Sequence, residues 1–561
     1  MKIRQDPDQI AIANQIKEAF DEGYNDIFLT APTGSGKSGV AWFTHSLNKL
    51  RTCVVSHQKV LLDQYQDLLV NYCCTVKGKS NYKCKIDSSI TVDYAPCQFG
   101  KLCRDRENCE YFIVRDYATK AFFLNTTYQL VLSLYDVQPV SPHTGKFALE
   151  KDVYIFDECH NLPSIFTDYR SIRIGSTDIR NYKKMIEVCG DDDSLMEIKD
   201  QSEKLLNIFN NISYEKMNED NFEPIFKEVF NNKSKLLDLL SIQIEKLVKS
   251  DDRDDQYVYK QLGRFHAFDS RSHCKYANML DFFGDILTNK EFVIEKSQTK
   301  DTWEIAVIPL RINTMFPRVA NALAPKRIFM SSTIFGADRL RKELGITEKY
   351  KFIEVDSKFP VENRKVYSLP VANMNYATIN DKKKMGEVSE VISEICLKHN
   401  LGGDSGFIFT PSYSLAKTIY DNIKKPLEKE NMIVLMNTSS SNRDDILAEF
   451  RNTKGSRNKV LISPSFSEGV NFENDISRFQ IIPKVPFLSL GSRYVSEKLK
   501  RDNLWYQIEA MKILVQTCGR SIRNKDDYAI TYILDQNWEK ISKAYGSYLP
   551  KWFRDAMLFK K

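Results

Sequence analysis

The sequence contains no apolar run long enough to cross a bilayer, no low-complexity tract and no large excess of one charge. Its most apolar window, AFFLNTTYQLVLSLY, includes Asn125 and Gln129 and is shorter than the about 20 residues that a spanning helix needs. The opening residues, MKIRQDPDQIAIANQ, lack the apolar stretch that follows the basic residues of a signal peptide. We therefore expect no membrane association and no secretion.

The size and charge of the chain set further bounds. A chain of 561 residues exceeds what one hydrophobic core supports, which predicts three or four domains. The net charge of +6, from 80 basic and 74 acidic residues, permits a polyanionic partner without requiring one. The 12 cysteines have no regular spacing and no secretion signal precedes them, which is typical of a reducing compartment.

A glycine-rich stretch near the start has the pattern of a phosphate-binding loop. In NDIFLTAPTGSGKSGVAWFTHSL, we predict a strand at Ile27–Leu29 and a helix from Gly39 onward. The glycines let successive amides point at a phosphate, the lysine reaches the terminal phosphates, and the last hydroxyl binds Mg²⁺. The predicted nucleotide-binding residues here are Thr33, Gly34, Ser35, Gly36, Lys37 and Ser38. The alternative is an ordinary glycine-rich turn, and Ala31 stands where the pattern begins with glycine.

A second stretch, KDVYIFDECHNL, supplies paired carboxylates. The hydrophobic strand ends at Asp157 and Glu158. A carboxylate at a strand end can hold Mg²⁺, and its neighbour can polarise the attacking water. The alternative is that these are two surface acids at the end of a strand without a shared role. The phosphate loop earlier in the chain favours the first interpretation.

A third stretch, ILVQTCGRSIRNKDDYAITYILD, contains Gln516, Arg520 and Arg523. If this stretch is helical, these three side chains point the same way. Arginines directed together at a terminal phosphate neutralise the charge that develops during transfer. A solvated basic face is the alternative. The distance of this stretch from the phosphate loop predicts a second domain that closes on the nucleotide.

Together, APTGSGKS, DECH and QTCGRSIR resemble motifs I, II and VI of superfamily 2 helicases. RIFMSSTIF, GFIFTPSYSLAKTIYDNI and SPSFSEGVNFENDISRFQIIPKVPF are similar to motifs III, IV and V, and TCVVSHQKVLLDQY stands in the place of motif Ia. The resemblance implies that Gln9 and Glu468 contribute to the ATP site. It also implies that four residues couple hydrolysis to movement: His160, Ser331, Thr333 and Asn471.

Three positions depart from the usual helicase motifs. Cys159 replaces alanine in motif II, Ser332 replaces alanine in motif III, and Asn471 replaces aspartate in motif V. None of these changes removes a group that hydrolysis requires. They could weaken the coupling between hydrolysis and movement.

Residues 76–112, which lie between motifs Ia and II, form a segment that contains four cysteines. Helicases of the XPD/DinG type, which this chain resembles, carry an iron–sulfur domain at this place, and the resemblance implies a [4Fe–4S] cluster. The residue pattern agrees, because four thiolates can supply one sulfur per iron and the tight C-x₂₋₄-C knuckle of structural zinc sites is absent. Zinc and unligated thiols remain the alternatives. The predicted ligands are Cys84, Cys97, Cys103 and Cys109.

The resemblance also implies an α/β architecture with two RecA-like P-loop domains and two insertions in the first of them. Apolar residues at helical spacing, such as Leu205, Ile208 and Phe209, predict helices in the second insertion. The predicted divisions are 1–75, 113–180 and 305–345 for the first RecA-like domain, 76–112 for the iron–sulfur domain, 181–304 for a helical arch, and 346–561 for the second RecA-like domain.

The function implied is that of an ATP-dependent DNA helicase that moves 5′→3′ on single-stranded or forked DNA as a monomer. Basic residues that follow the phosphates and aromatic residues that stack on bases suit single strands. The candidate DNA contacts are His57, Lys79, Tyr82 and Asn125. Two alternatives remain: an RNA-acting enzyme or bare translocase, and a nonhydrolysing DNA-binding protein. We expect a cytoplasmic protein of a bacterial or phage-infected cell, or a nuclear one in a eukaryote.

Overall fold

Two parallel β-sheets organise the chain. The computed structural model describes residues 6–32, 34–70, 72–95, 105–137, 149–247, 250, 252–288, 290–452, 457–466, 470, 472, 474–522 and 527–559, without the side chains of 253 and 278–288. Within these residues no helix is both long enough and apolar enough to cross a membrane.

The first sheet has seven parallel strands among the described residues. Their order from one edge is Tyr350–Glu354, Asp26–Thr30, Lys326–Ser331, Val153–Asp157, Thr52–Ser56, Phe123–Thr127 and Cys74–Thr75. The central strands are apolar and wholly buried because helices cover both faces. The α-helices of this part are Pro7–Asp21, Lys37–Asn48, Lys59–Leu68, Glu110–Lys120, Tyr128–Val137, Leu162–Arg170, Phe316–Leu323 and Ala337–Leu344.

The second sheet also has seven parallel strands in the described part of the chain. Their order is Ile433–Met436, Lys459–Ser463, Gly406–Phe409, Phe479–Ile482, Ile530–Asp535, Val366–Ala372 and Met557–Phe559. Its α-helices are Tyr376–Asn380, Lys382–Leu401, Tyr413–Lys429, Arg443–Arg451, Arg493–Arg501, Asn503–Cys518, Gln536–Tyr545 and Lys551–Arg554. The predicted α/β class with two parallel-sheet domains is therefore confirmed.

One strand corrects the predicted division at residue 346. Tyr350–Glu354 pairs in parallel with Asp26–Thr30, so it is an edge strand of the first sheet. Alternating strands and helices do not reveal from sequence which sheet a strand joins. The second domain therefore begins after this strand.

The second insertion of the first domain, between its parts 113–180 and 305–345, is mainly helical, as predicted. Its helices are Ser176–Cys189, Met196–Asn211, Phe222–Leu247 and Arg253–Thr288. A three-stranded antiparallel sheet, in the order Ile172–Gly175, Trp303–Pro309 and Phe292–Gln298, connects these helices to the first domain. The strand Phe292–Gln298 lies inside the stretch 181–304, for which the sequence predicts helices and no strand is assigned. The role of these helices as an arch around DNA remains a prediction.

A buried lysine holds the helical insertion together. The Lys233 ammonium lies 2.7 Å from the Asp178 carboxylate and 3.2 Å from that of Asp269, and all three side chains are almost fully buried. Tyr182 donates a hydrogen bond to Asp269 at 3.1 Å. The three charged side chains come from three different helices, and removal of one partner would leave an uncompensated buried charge.

Short 3₁₀ turns form the described part of the cysteine segment, at Lys79–Asn81, Val92–Tyr94 and Arg106–Asn108. Small hydrophobic clusters surround them, one with Cys109, Tyr82 and Tyr111 and another with Cys84. The candidate ligands Cys97 and Cys103 lie outside the described residues.

Candidate nucleotide site between the two sheets

The phosphate loop joins the end of strand Asp26–Thr30 to helix Lys37–Asn48. Gly34 and Gly36 have φ angles of +82° and +78°, which residues with a Cβ rarely adopt. The Gln9 side chain packs so closely on Gly36 and Gly39 that a side chain at either position would collide with its amide. Gln9, in helix Pro7–Asp21, therefore lies directly over the loop.

Two observations show that the loop fits a phosphate ligand. The Ser35 hydroxyl is buried and has no hydrogen-bond partner among the described residues. The Lys37 ammonium lies at the start of the helix, where the amide dipoles favour an anion. A buried polar group without a partner is costly, and a bound phosphate would satisfy it. Thr33 lies outside the described residues.

The paired carboxylates lie beside the loop at the end of strand Val153–Asp157. The Lys37 ammonium is 3.3 Å from Glu158 Oε1. Glu158 has a φ of +51°, a left-handed backbone conformation that costs a non-glycine residue about 1 kcal/mol.

Burial and the charge of Glu158 raise the pKa of Asp157 to about 7. Burial alone would also raise the pKa of Glu158, but Lys37 and His160 hold the pKa of Glu158 below its usual range. A buried carboxyl whose ionised form is disfavoured without a nearby cation fits a Mg²⁺ ligand. The acid beside it is already anionic and suits a role in directing water.

Two tyrosines donate hydrogen bonds to Asp157, and no motif in the sequence predicted a role for either of them. The Tyr65 hydroxyl donates to Asp157 Oδ2 at 3.3 Å, and the Tyr128 hydroxyl donates to the main-chain oxygen of Asp157 at 2.9 Å. Both side chains are almost completely buried. The only signal in the sequence was that Tyr65 ends the stretch in the place of motif Ia.

A hydrogen-bond network joins motif II to motif III. His160 Nδ1 lies 2.6 Å from the Ser331 hydroxyl, which donates to Glu158 Oε2 at 3.3 Å. The Ser331 and Thr333 hydroxyls are 3.3 Å apart, and the Thr333 amide donates to Ser331. The structure thus brings together three of the four predicted coupling residues. The fourth, Asn471, lies outside the described residues, as does Glu468.

The second domain reaches this network through helix Asn503–Cys518. The Gln516 amide hydrogen-bonds to His160 Nε2, and the Lys512 ammonium donates to the His160 main-chain oxygen at 3.3 Å. Trp552 Nε1 donates to the Ser332 oxygen at 3.0 Å. Motifs II, III and VI are therefore in direct contact across the two domains.

The prediction that Gln516 and Arg520 share a helix face is wrong. The helix ends at Cys518, and the Gly519 amide bonds to the Gln516 oxygen in the final turn. The Arg520 main-chain oxygen instead accepts from the Phe472 amide, and its guanidinium donates to the Val470 oxygen at 3.4 Å. The helix thus ends before Arg520, and the segment that follows hydrogen-bonds to Val470 and Phe472.

A cavity between the domains still connects motif VI with the phosphate loop. Its lining includes Pro32 beside the loop, and Gly519 and Trp552 of the second domain. Arg520 is the residue after Gly519, which lines the cavity. Arg523, the second candidate arginine finger, lies outside the described residues.

The four candidate DNA contacts have different environments. Lys79 is exposed and His57 is partly exposed. Tyr82 is buried and its hydroxyl accepts from the Lys77 amide at 3.0 Å, while Asn125 is fully buried and donates to the Leu62 oxygen at 2.9 Å. Their assignment to DNA stays a prediction, and for the two buried side chains it would require a rearrangement.

Two of the four candidate cysteine ligands lie within the described residues, and their chemistry fits a metal cluster. Cys84 and Cys109 are buried thiols that form no disulfide, which leaves them available as ligands. No group of three or more metal-ligating side chains occurs within the described residues, which hold only these two of the four cysteines.

Comparisons with known proteins agree with the motifs. The pattern of the type III restriction enzyme res subunit matches residues 2–189, and that of the helicase C-terminal domain matches residues 393–556. The ATP-dependent DNA helicase CHL1 of Candida albicans is 22% identical over 80% of this chain and 61% of its own length. The chain thus spans about three fifths of that relative.

Two further curated relatives have similar identity. The helicase subunit XPD/RAD3 of general transcription and DNA repair factor IIH from Saccharomyces cerevisiae is 20% identical over 82% of this chain and 67% of its own length. The ATP-dependent DNA helicase DinG of Photobacterium profundum is 20% identical over 82% of this chain and 71% of its own length.

The fold also resembles solved structures. A structure titled XPD helicase covers 100% of both chains with a TM-score of 0.63 at 14% identity. The structure of S. tokodaii Xpd4 covers 99% of both chains with a TM-score of 0.57 at 14% identity. This similarity establishes a shared fold.

Proposed function

The chain belongs to the XPD/DinG/CHL1 type of superfamily 2 helicases, and on this basis we propose that it is an ATP-dependent DNA helicase. The observation that carries the proposal is the continuous contact from Lys37 through Glu158 and His160 to Gln516. Those four residues belong to motifs I, II and VI, and they join the two domains at the place where a nucleotide would bind.

The residues present suggest how ATP is held. The amides of the loop at 34–38 and the Lys37 ammonium bind the phosphates, and Gln9 stands over the loop. Ser38 and Asp157 are the side chains that would hold Mg²⁺, which when bound neutralises charge on the phosphate oxygens. Glu158 orients the attacking water, because it is anionic and lies beside Lys37.

Hydrolysis would be transmitted to the second domain through His160. Its imidazole contacts Ser331 on one side and Gln516 on the other, so any shift of Glu158 or Ser331 changes a contact between the domains. Arg520 and Arg523 are proposed to stabilise the transition state once the domains close. Repeated closing and opening would then move single-stranded DNA, in the 5′→3′ direction implied by the family.

The cysteine segment is proposed to hold a [4Fe–4S] cluster through Cys84, Cys97, Cys103 and Cys109. When bound, the cluster would serve as a rigid cross-link. The segment has only short turns and small hydrophobic clusters of its own, so such a cross-link would give it the stiffness of a wedge that parts a duplex. Forked DNA, a monomeric state, and roles in repair, replication or recombination are part of this proposal.

An unwinding assay tests the function. The unmodified protein should separate forked DNA with a 5′ single-stranded arm in the presence of ATP and Mg²⁺, whereas Lys37→Ala should not. A 3′ arm alone should give little separation. Turnover stimulated by RNA in preference to DNA would favour the RNA-acting alternative. Absence of ATP turnover with single-stranded DNA would indicate the nonhydrolysing alternative.

A further inference from the structure

The segment at 546–556 includes helix Lys551–Arg554 and is fixed in the second domain. Phe553 is fully buried in the hydrophobic core of that domain. The guanidinium of Arg364, which lies in the same domain, donates to the main-chain oxygen of Trp552. Any movement of the second domain therefore carries Trp552 with it.

The same segment also holds motif III of the first domain. Trp552 Nε1 donates to the Ser332 main-chain oxygen at 3.0 Å. Phe335, the last residue of motif III, is 3% exposed and belongs to the hydrophobic core of the second domain. The ring of Tyr548 packs so closely on Gly336, which has a φ of +78°, that a Cβ there would lie 3.0 Å from the ring. The end of motif III is thus packed into the second domain, and Trp552 adds a directional hydrogen bond to this packing.

Ser332 stands between the two hydroxyl residues that connect motif III to motif II. The Thr333 amide donates to the Ser331 hydroxyl at 3.1 Å. That hydroxyl lies 2.6 Å from His160 Nδ1 and donates to Glu158 Oε2 at 3.3 Å. Because Ser331 and Ser332 are neighbours in the chain, the place of the Ser332 main chain limits where the Ser331 hydroxyl can lie.

We propose that Trp552 is a positioning residue, whose indole N–H holds motif III in place against the second domain and thereby aligns the Ser331 hydroxyl with motif II. This inference rests on the proposed function and deepens it, because it assigns part of the coupling between hydrolysis and domain movement to the segment at 546–556. The path differs from that of Gln516, because it reaches the main chain of motif III and not the ring of His160.

Trp552→Phe removes the N–H and keeps an aromatic ring in the same place. The matched control is Trp538→Phe in the same domain, because Trp538 is fully buried and its Nε1 has no hydrogen-bond partner among the described residues. Both variants lose the same side-chain volume, and only the first loses a hydrogen bond to motif III. Should Trp552→Phe fail to fold, Trp552→Met, whose apolar side chain adapts its shape, is expected to give the same results.

The first readout is hydrogen exchange of the main-chain amides at 331–336 in the whole chain without nucleotide. For Trp552→Phe we expect exchange about three- to tenfold faster, as for the loss of one hydrogen bond. Trp538→Phe should leave the exchange of these amides unchanged.

The second readout is ATP turnover stimulated by single-stranded DNA, expressed per site that binds fluorescent ADP so that unfolded protein does not count. For Trp552→Phe we expect kcat to fall about five- to tenfold with the KM for ATP unchanged. The reason is that the lost bond lies at motif III and not on the groups proposed to hold the phosphates. A role confined to stability would leave kcat per site unchanged. Trp538→Phe should keep both constants.

The outcomes separate this inference from the function on which it rests. If the unmodified protein turns over no ATP with single-stranded DNA, the proposed function is wrong and the role of Trp552 fails with it. If the unmodified protein is active and Trp552→Phe changes neither exchange nor kcat, only the role of Trp552 is overturned. Faster exchange with normal kcat would show that the bond stabilises motif III without positioning it for hydrolysis, which also overturns the inference. Equal changes in Trp538→Phe would do the same.

Discussion

Gln516 of the second domain hydrogen-bonds to the imidazole of His160 in the first, and the opposite nitrogen of that ring lies 2.6 Å from the Ser331 hydroxyl. A single histidine of motif II therefore contacts motif III and motif VI at once. The two domains therefore meet at the residue through which we expect hydrolysis to act.

The first prediction concerns that contact. Gln516→Ala and His160→Ala should each lower ATP turnover stimulated by single-stranded DNA about tenfold or more, because each removes the same link between the domains. The double variant should be no worse than the poorer single variant. Gln507→Ala, in the same helix, is the control and should stay near normal. Additive losses in the double variant would show that the two residues act separately.

The second prediction concerns Glu158. Glu158→Gln keeps the shape of the side chain but removes the anion that lies 3.3 Å from Lys37. We expect turnover to fall about 10²-fold or more, as for the loss of a general base, while ATP remains bound. Retention of uncleaved ATP on the protein and single-turnover kinetics measure the two effects. Turnover close to that of the unmodified protein would refute the role in directing water.

The third prediction concerns the cysteine segment. The purified protein should be brown and contain about four irons per chain, and Cys84→Ser should lose most of this iron. Cys396→Ser alters an equally buried cysteine of the second domain and should keep it. Iron content and visible absorption are the measurements. Stoichiometric zinc without iron in the unmodified protein would rule out the cluster.

The fourth prediction concerns the contact between the helical insertion and the second domain. The Glu295 carboxylate accepts from the amides of Tyr494 at 2.7 Å and Arg493 at 3.2 Å, at the N-terminus of helix Arg493–Arg501. Glu295→Gln removes the charge that the helix dipole favours, at a cost of about 1 kcal/mol.

Faster hydrogen exchange of the amides at 492–496 would reveal that loss. Glu304→Gln, on the neighbouring strand, changes an exposed carboxylate and should leave this exchange unaltered. Unchanged exchange in Glu295→Gln would mean that the carboxylate does not stabilise this helix end.

The fifth prediction concerns pH. Burial lowers the pKa of His266 to about 4. Its Nε2 atom forms a hydrogen bond of 3.0 Å with the Ser241 hydroxyl of the adjacent helix. At pH values between the ordinary pKa of histidine and about 4, His266 binds a proton in the unfolded chain but not in the folded one. This group therefore makes the folded state less stable as the pH falls through that range. His266→Gln should flatten the decrease in melting temperature over that range. If the melting temperature of His266→Gln decreased with pH as steeply as that of the unmodified protein, this prediction would be wrong.

Much of the nucleotide site was predictable because its parts are contiguous. The strand, glycines, lysine and helix of motif I follow one another, and Asp157 and Glu158 end a single apolar strand. The two parallel sheets were expected from the resemblance of the motifs to those of superfamily 2 helicases. The expectation of a shared helix face failed at Arg520, because the helix ends at Cys518 and Arg520 lies beyond it.

Local pattern therefore determined which groups handle phosphate, because the backbone of one short segment positions them. The tertiary structure alone decided which distant groups orient them. Tyr65 reaches Asp157 across 92 positions of sequence, and Gln516 reaches His160 across 356. Hydrogen bonds of that kind depend on how helices pack against the sheet and on how the two domains meet. No periodicity or motif encodes those distances, because they are fixed only when the apolar faces of both domains are buried together.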